Sequence, residues 1–154
     1  MKAVVVREAG APEVLKVEEM PVPEPKAGWV LIKMKAFGLN RSEMFTRQGH
    51  SPDVNFPRVL GIECVGGIED AGGTNFKKGQ KIAAIMGGMG RDFDGGYAEY
   101  TSVPQKNVFP LETDLDWKTL GAIPEIFQTA YGSLTAGLEI KSGQTLLIRG
   151  GEHR

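Results

Sequence analysis

The stretch from Phe56 to Ile68 constrains the fold more than any other part of the sequence. It is apolar, rich in β-branched residues and interrupted by glycines, which predicts a bent or bulged strand in a crowded core. Its only acid is Glu63. A carboxylate buried there must find a cation, a donor or a metal, or take up a proton. The alternative is that Glu63 is exposed or satisfied by the backbone.

Length and composition describe an ordinary globular chain. The 154 residues are enough for one domain with a real core and too few for two full-sized domains. Hydrophobic residues make up 41% and charged residues 24%, and the net charge of -1 gives no reason to expect nucleic acid or a membrane as partner. The 21 glycines and 9 prolines favour strands joined by turns and irregular connections.

Cys64 is the only cysteine. A single cysteine allows neither an intrachain disulfide framework nor a multi-cysteine zinc site. We interpret it as a small core residue rather than a nucleophile, because neither a helix N-terminus nor a nearby cation is evident. A reducing cytoplasm is the expected location.

Alternation and turn residues predict strands over most of the first 110 residues: 2–8, 15–20, 29–37, 82–85, 96–104 and 106–110. The strand from Trp29 to Phe37 alternates cleanly, which indicates one buried face. Asn40 stands three residues before Glu43, a capping-box-like spacing that predicts a helix over 41–48.

The pattern changes from Asp116 onward. Asp116 can cap a helix over 117–123, and Pro124 can begin a second helix over 125–136. An apolar strand is predicted over 144–149, running into Gly150 and Gly151. We therefore divide the chain into domains at 1–115 and 116–154.

Two short motifs carry a resemblance to a known family. Residues 95–100 read Gly-Gly-Tyr-Ala-Glu-Tyr, and residues 61–63 read Gly-Ile-Glu. Both resemble the medium-chain dehydrogenase/reductase superfamily. Zinc-type members carry a metal-binding histidine in the second motif, where this chain has Ile62, which has no lone pair. The resemblance therefore points to the zinc-independent branch, the quinone oxidoreductases or zeta-crystallin-like enzymes.

The resemblance implies a mainly β fold with short helices. We expect a partly open chaperonin-10-like β-barrel, followed by the first helices and strand of a truncated Rossmann domain. The resemblance covers residues 1–151. The last three residues do not continue the family pattern, so we expect a truncated chain.

The resemblance also implies site residues. Asn40 stands where zinc enzymes carry their first cysteine ligand and matches the quinone oxidoreductase asparagine, which implies contact with the nicotinamide ribose or a substrate oxygen. It can also serve as a helix cap, and both roles can hold. Thr129 matches a Thr-Ala segment that faces the nicotinamide, although a helical threonine ordinarily bonds back to a carbonyl. Gly150 and Gly151 are expected to bind cofactor at the start of the family's pyrophosphate loop.

Other positions depart from the family pattern or contribute no site. Phe45 and Ser51 fall at or near positions where quinone oxidoreductases often have tyrosine, so the polar contacts of the substrate pocket are not predicted. Glu63 would sit behind the vacant metal position. The Gly-rich loop over 87–96 lacks the strand-to-helix context of a phosphate cradle.

Together the resemblance implies the catalytic domain of a zinc-independent, NADP(H)-dependent oxidoreductase. The full-length parent would reduce a small quinone or enone by hydride transfer and assemble as a homo-oligomer, whereas this chain alone would be inactive and bind no cofactor. The alternative is a non-enzymatic chaperonin-10-like binding or oligomerisation module. A zinc alcohol dehydrogenase does not agree with Ile62 and the absent cysteines.

Overall fold

Two antiparallel sheets and three short helices form the part of the chain that the computed structural model describes, residues 1–149. The strands are β1 (Lys2–Val6), β2 (Leu15–Glu19), β3 (Trp29–Ala36), β4 (Arg58–Val59), β5 (Glu63–Asp70), β6 (Lys81–Ile85), β7 (Tyr100–Pro104) and β8 (Val108–Pro110). The helices are α1 (Arg41–Arg47), α2 (Trp117–Gly121) and α3 (Pro124–Gly132). None of the described helices is long and apolar enough to cross a membrane.

The larger sheet has the order β7-β3-β5-β6-β8, and the smaller has the order β2-β1-β4. All of their pairings are antiparallel. The main core lies on one face of the larger sheet and contains Val30, Ile32, Cys64, Ile68, Ile82, Ala84, Met89, Val103 and Val108. The predicted mainly β, half-open barrel is confirmed.

The stretch from Phe56 to Ile68 is bent, as its glycines predict. It forms β4 and then β5, with Gly61 between them at φ +107°. A Cβ atom at Gly61 would lie 2.5 Å from the Gly96 nitrogen, so only glycine allows the backbone at position 61 to lie this close to the backbone at position 96. Within β5, a Cβ at Gly66 would lie 2.3 Å from the Lys33 carbonyl oxygen, and the β3–β5 register shifts at two places. The core is therefore crowded on both sides of this stretch.

Two strands begin later in the structure than the sequence predicts. The strand predicted over 96–104 begins only at Tyr100, because the preceding backbone bonds elsewhere: Tyr97 N–H donates to the Leu60 carbonyl, and Glu99 N–H donates to the Lys2 carbonyl of β1. The strand predicted over 106–110 begins at Val108, after a 3-10 turn. There the Asn107 amide donates to the Met86 carbonyl at 2.9 Å, which holds the turn.

The helix predictions hold closely. Asp116 caps α2 by accepting from the Lys118 and Thr119 N–H groups at 2.9 and 3.1 Å. The helix predicted over 125–136 appears as α3 followed by a single π-helical turn, Ser133–Gly137.

The strand predicted over 144–149 is wrong. These residues are irregular and pair with no strand among the described residues. A strand needs a neighbour for its N–H and C=O groups, and apolar side chains alone do not supply one. Gly150 and Gly151 lie outside the described residues, so their predicted cofactor contact stays a prediction, as does the domain boundary at 115.

Candidate active site

Three segments bring polar side chains together at the end of the larger sheet. β3 ends at Ala36, and the chain then turns through Asn40, the N-cap of α1. β5 begins at Glu63, and α3 begins at Pro124 close to it. The sequence separates these segments widely, so the sheet and the two helix starts create the site.

Glu63 is the centre of this arrangement. Its side chain is buried, with only 3% of the residue exposed. One carboxylate oxygen, Oε1, accepts from the Asn40 side-chain amide at 2.8 Å, and Oε2 accepts from the backbone N–H of Glu125 at 2.8 Å. Each oxygen thus has a donor, which offsets the cost of burying the charge without a metal or a cation.

The backbone donor belongs to the first turn of α3. Pro124 occupies the first helical position and has no N–H, so the N–H of Glu125 is the first that the helix offers. A carboxylate at this end also interacts favourably with the helix dipole. Glu63 therefore anchors α3 to the barrel.

Thr129 joins the same network one turn later. Its hydroxyl donates to the Glu125 carboxylate at 2.9 Å, rather than to a backbone carbonyl. The two predicted site residues, Asn40 and Thr129, are thus connected through Glu63 and Glu125. Thr129 is solvent-exposed and Asn40 is half-buried, so a ligand can reach both.

A second buried carboxylate, Glu43, holds the other side of the site. It accepts from the backbone N–H groups of Asn40 and Ile62, at 2.7 and 2.8 Å, and from the Tyr97 hydroxyl. Burial raises the pKa of the Tyr97 hydroxyl, and the bond to Glu43 raises it further, so Tyr97 stays a protonated donor. Asn40 and Glu43 also form the predicted capping box of α1.

A cleft of about 590 Å³ opens beside Asn40. Its walls combine apolar and polar side chains: Leu15, Leu39, Asn40, Arg41, Glu43, Met44, Arg47, Leu60 and Tyr97. Size and lining are typical of a site for a small organic molecule. Phe45 and Ser51 are not among the lining residues: the Phe45 ring packs on His50 and the Ser51 hydroxyl lies 2.9 Å from that of Thr46.

Comparison with known proteins agrees with this geometry. Residues 26–113 match the alcohol dehydrogenase GroES-like domain family. The chain belongs to this family. The predicted resemblance to the medium-chain dehydrogenases/reductases and their quinone oxidoreductase branch is thereby confirmed, since the human quinone oxidoreductase is 37% identical over 154 residues. That match covers 97% of this chain and 45% of the human protein.

Solved structures give the same picture. An NAD-dependent alcohol dehydrogenase superposes with a TM-score of 0.85 at 31% identity, covering 93% of this chain and 49% of that one. A mycobacterial protein solved in complex with NADPH superposes with a TM-score of 0.81 at 28% identity, covering 93% and 43%. The GroES-like chain thus spans about half the length of the relatives that it matches.

The site of this GroES-like domain does not fit zinc. Ile62 offers no ligand atom, and Cys64 is buried in the main core. Both oxygens of Glu63 already accept N–H groups. Within residues 1–149 no three His, Cys, Asp or Glu side chains come close enough to hold a metal ion, whereas structural and catalytic zinc need three or four such ligands.

The sequence predicts Asn40 and Thr129 as site residues and pairs Asn40 with Glu43 in a capping box. It does not predict the bonds of Glu63 to the Asn40 side chain and to the Glu125 N–H. Two participants were missed, the backbone N–H of Glu125 and the Tyr97 hydroxyl. Tyr97 had a signal, since it lies within the motif over 95–100. Glu125 had none, because any residue after Pro124 presents the same N–H.

Proposed function

We propose that this chain is the catalytic, GroES-like part of a zinc-independent oxidoreductase that uses NADP(H) to reduce quinones or enones by hydride transfer. The observation that carries the proposal is the Asn40 side-chain amide, held by Glu63 at the edge of a cleft with both apolar and polar walls. The name of the human relative supports quinones as substrates, and the NADPH complex of the mycobacterial relative supports NADP(H).

In this proposal the nicotinamide cofactor supplies the hydride, and the residues of this chain bind and orient. Reduction of a quinone or enone places negative charge on the carbonyl oxygen, which a fixed donor stabilises. Asn40 has a second amide N–H for that purpose, since only one is used by Glu63 among the described residues. Thr129 would face the nicotinamide, and the apolar side chains of the cleft would exclude water.

The test is a chimeric protein in which residues 1–149 replace the matching N-terminal part of human quinone oxidoreductase. We expect quinone-dependent oxidation of NADPH, lowered about 100-fold in kcat/KM by Asn40→Ala because a fixed donor is lost. Asn75→Ala removes an exposed asparagine and serves as the matched control. A folded chimera that binds NADPH yet turns over no quinone would contradict the proposal and favour the non-enzymatic binding module.

The 154-residue chain by itself is expected neither to bind NADPH tightly nor to oxidise it with quinones. It matches only 45% of the human relative, and a nicotinamide must be held firmly to reach attack geometry. Quinone turnover by this chain alone that disappears in Asn40→Ala would contradict this expectation. A cytoplasmic location and a homo-oligomeric state remain parts of the proposal.

A further inference from the structure

We infer that Glu63 is a positioning residue, which orients the Asn40 amide toward a ligand and couples it to the start of α3. This inference rests on the proposed function, since Asn40 and Thr129 are the residues it would position. Glu63 itself is buried behind Asn40 and does not line the cleft.

The chemistry of the two side chains determines the orientation of the amide. An ionised carboxylate can only accept hydrogen bonds, whereas an asparagine amide has a donor end and an acceptor end. The nitrogen of Asn40 must therefore face Glu63, because the reverse orientation would bring two oxygens together. One N–H of Asn40 is thereby used at 2.8 Å, and the other is left as a donor for a ligand oxygen.

The second carboxylate oxygen of Glu63 links its side chain to the first turn of α3. It accepts the Glu125 N–H at 2.8 Å, and the Glu125 carboxylate in turn accepts the Thr129 hydroxyl at 2.9 Å. A shift of the first turn of α3 therefore moves the carboxylate of Glu63, and with it the Asn40 amide. One buried carboxylate sets the relation between the two proposed site residues.

Gly38 provides an independent way to test this. A Cβ atom at position 38 would lie 2.2 Å from the Glu63 oxygen that Asn40 contacts. Gly38→Ala must therefore displace the carboxylate while leaving its charge in place. If Glu63 positions Asn40, both variants should disturb the orientation of the Asn40 side-chain amide. Gly38→Ala would do so by displacing the carboxylate, and Glu63→Gln by removing its charge.

The first measurement is NMR on the complete 154-residue chain. Gln at position 63 keeps the shape but has a donor nitrogen in place of one acceptor oxygen, so its two ends cannot both accept, one from Asn40 and the other from Glu125. We expect the Asn40 side-chain amide and the Glu125 backbone amide to shift together in Glu63→Gln, and the Glu125 amide to exchange about tenfold faster with solvent. Gly38→Ala should move the same two signals.

The matched control is Glu69→Gln, the same chemical change on the same strand. Glu69 is partly exposed and pairs with Lys78 at 2.6 Å. This pair lies outside the hydrogen bonds that join Asn40 and Thr129 through Glu63 and Glu125. It should leave both signals unchanged. A folded Glu63→Gln protein in which the Asn40 side-chain amide does not shift would overturn the inference, as would an unchanged amide in Gly38→Ala.

The chimeric enzyme separates this inference from the proposed function. Loss of positioning should lower kcat for quinone about tenfold while KM for NADPH changes little, because the oriented donor acts in the transition state. An active wild-type chimera whose kcat is unaffected by Glu63→Gln would overturn the positioning role. A wild-type chimera without turnover would contradict the proposed function instead, and the amide shifts would still decide whether Glu63 orients Asn40.

Discussion

Two buried carboxylates lie close to each other in the candidate site, and each has its own set of donors. Glu43 accepts two backbone N–H groups and the Tyr97 hydroxyl, and Glu63 accepts one backbone N–H and the Asn40 amide. Buried charge is tolerated only when hydrogen bonds replace the lost water. The sequence left open whether Glu63 is exposed, satisfied by the backbone or paired in the core, and the structure identifies a helix start and a side-chain amide as its donors.

Cys64 gives a prediction at the residue scale. Burial raises the pKa of its thiol from 9.0 to about 12, so we expect the native protein to resist thiol reagents at pH 8 and to react once unfolded. Because the pKa is raised in the folded state, the associated stability is present below pH 9 and is lost as the pH rises toward 12. The free energy of unfolding should fall by about 1 kcal/mol between pH 8 and pH 10.

Urea unfolding at these two pH values measures the effect. Cys64→Ala lacks the thiol and should lose that part of the pH dependence. Equal pH dependence in both proteins, or rapid labelling of the native thiol, would show that Cys64 is not buried as the structure has it.

Metal content is the second prediction at this scale. We expect the dialysed protein to contain far less than one zinc per chain, because the Ile62 side chain offers no ligand atom and both Glu63 oxygens already accept N–H groups. The melting temperature should also not change on adding a chelator. Elemental analysis that finds one tightly bound zinc per chain would refute this prediction.

At the scale of elements, the break between β4 and β5 depends on Gly61. Gly61→Ala introduces both a strained backbone conformation and a collision with the Gly96 backbone at 2.5 Å. Gly73 also has a positive φ, +77°, but open space around it, which makes Gly73→Ala the matched control. We expect a loss of about 1 kcal/mol in the control and about 3 kcal/mol or more in Gly61→Ala.

Chemical unfolding of the two variants measures this difference. If both variants lose the same free energy, the close approach of residues 61 and 96 contributes nothing, and backbone strain alone explains the need for glycine.

At the scale of the whole molecule, the C-terminal third presents large apolar side chains to solvent: Ile126, Phe127, Tyr131, Leu138, Leu147 and Ile148. Each such side chain forgoes about 1.5–3 kcal/mol of burial while it stays in water. Either the tail, meaning the residues after Lys141, frays, or two chains associate through it. We expect association, because consecutive large aliphatic residues seldom remain solvated in a concentrated sample.

Light scattering on the chain and on a version cut after Lys141 distinguishes these outcomes. The complete chain should associate, and the cut chain should have the lower oligomeric state. Ile148→Ser and Val17→Ser form a matched pair, since both side chains are 70% exposed but only Ile148 belongs to this surface. A monomer in every case, with unchanged stability on cutting, would rule out association through the tail.

Local patterns were sufficient for much of the fold. The alternation of β3, the Asp116 cap of α2 and the spacing of Asn40 and Glu43 each depend on residues within one turn or one strand. Such signals are readable because the interacting groups are neighbours in sequence. The apolar run over 144–149 shows the limit, since its composition suits a strand but a strand also needs a partner that no local pattern supplies.

The strand-rich core, the helix starts and the lack of a metal ligand at Ile62 could be predicted from the sequence, because each follows from the chemistry of one residue or a short pattern. The groups that satisfy Glu63 could not be predicted without the folded structure. Its two donors come from 23 and 62 residues away in the chain, and the Tyr97 hydroxyl reaches Glu43 across 54 residues. Such contacts arise when the folded sheet brings the ends of separate elements together. No sequence pattern marks these donors, because their residue types occur throughout the chain.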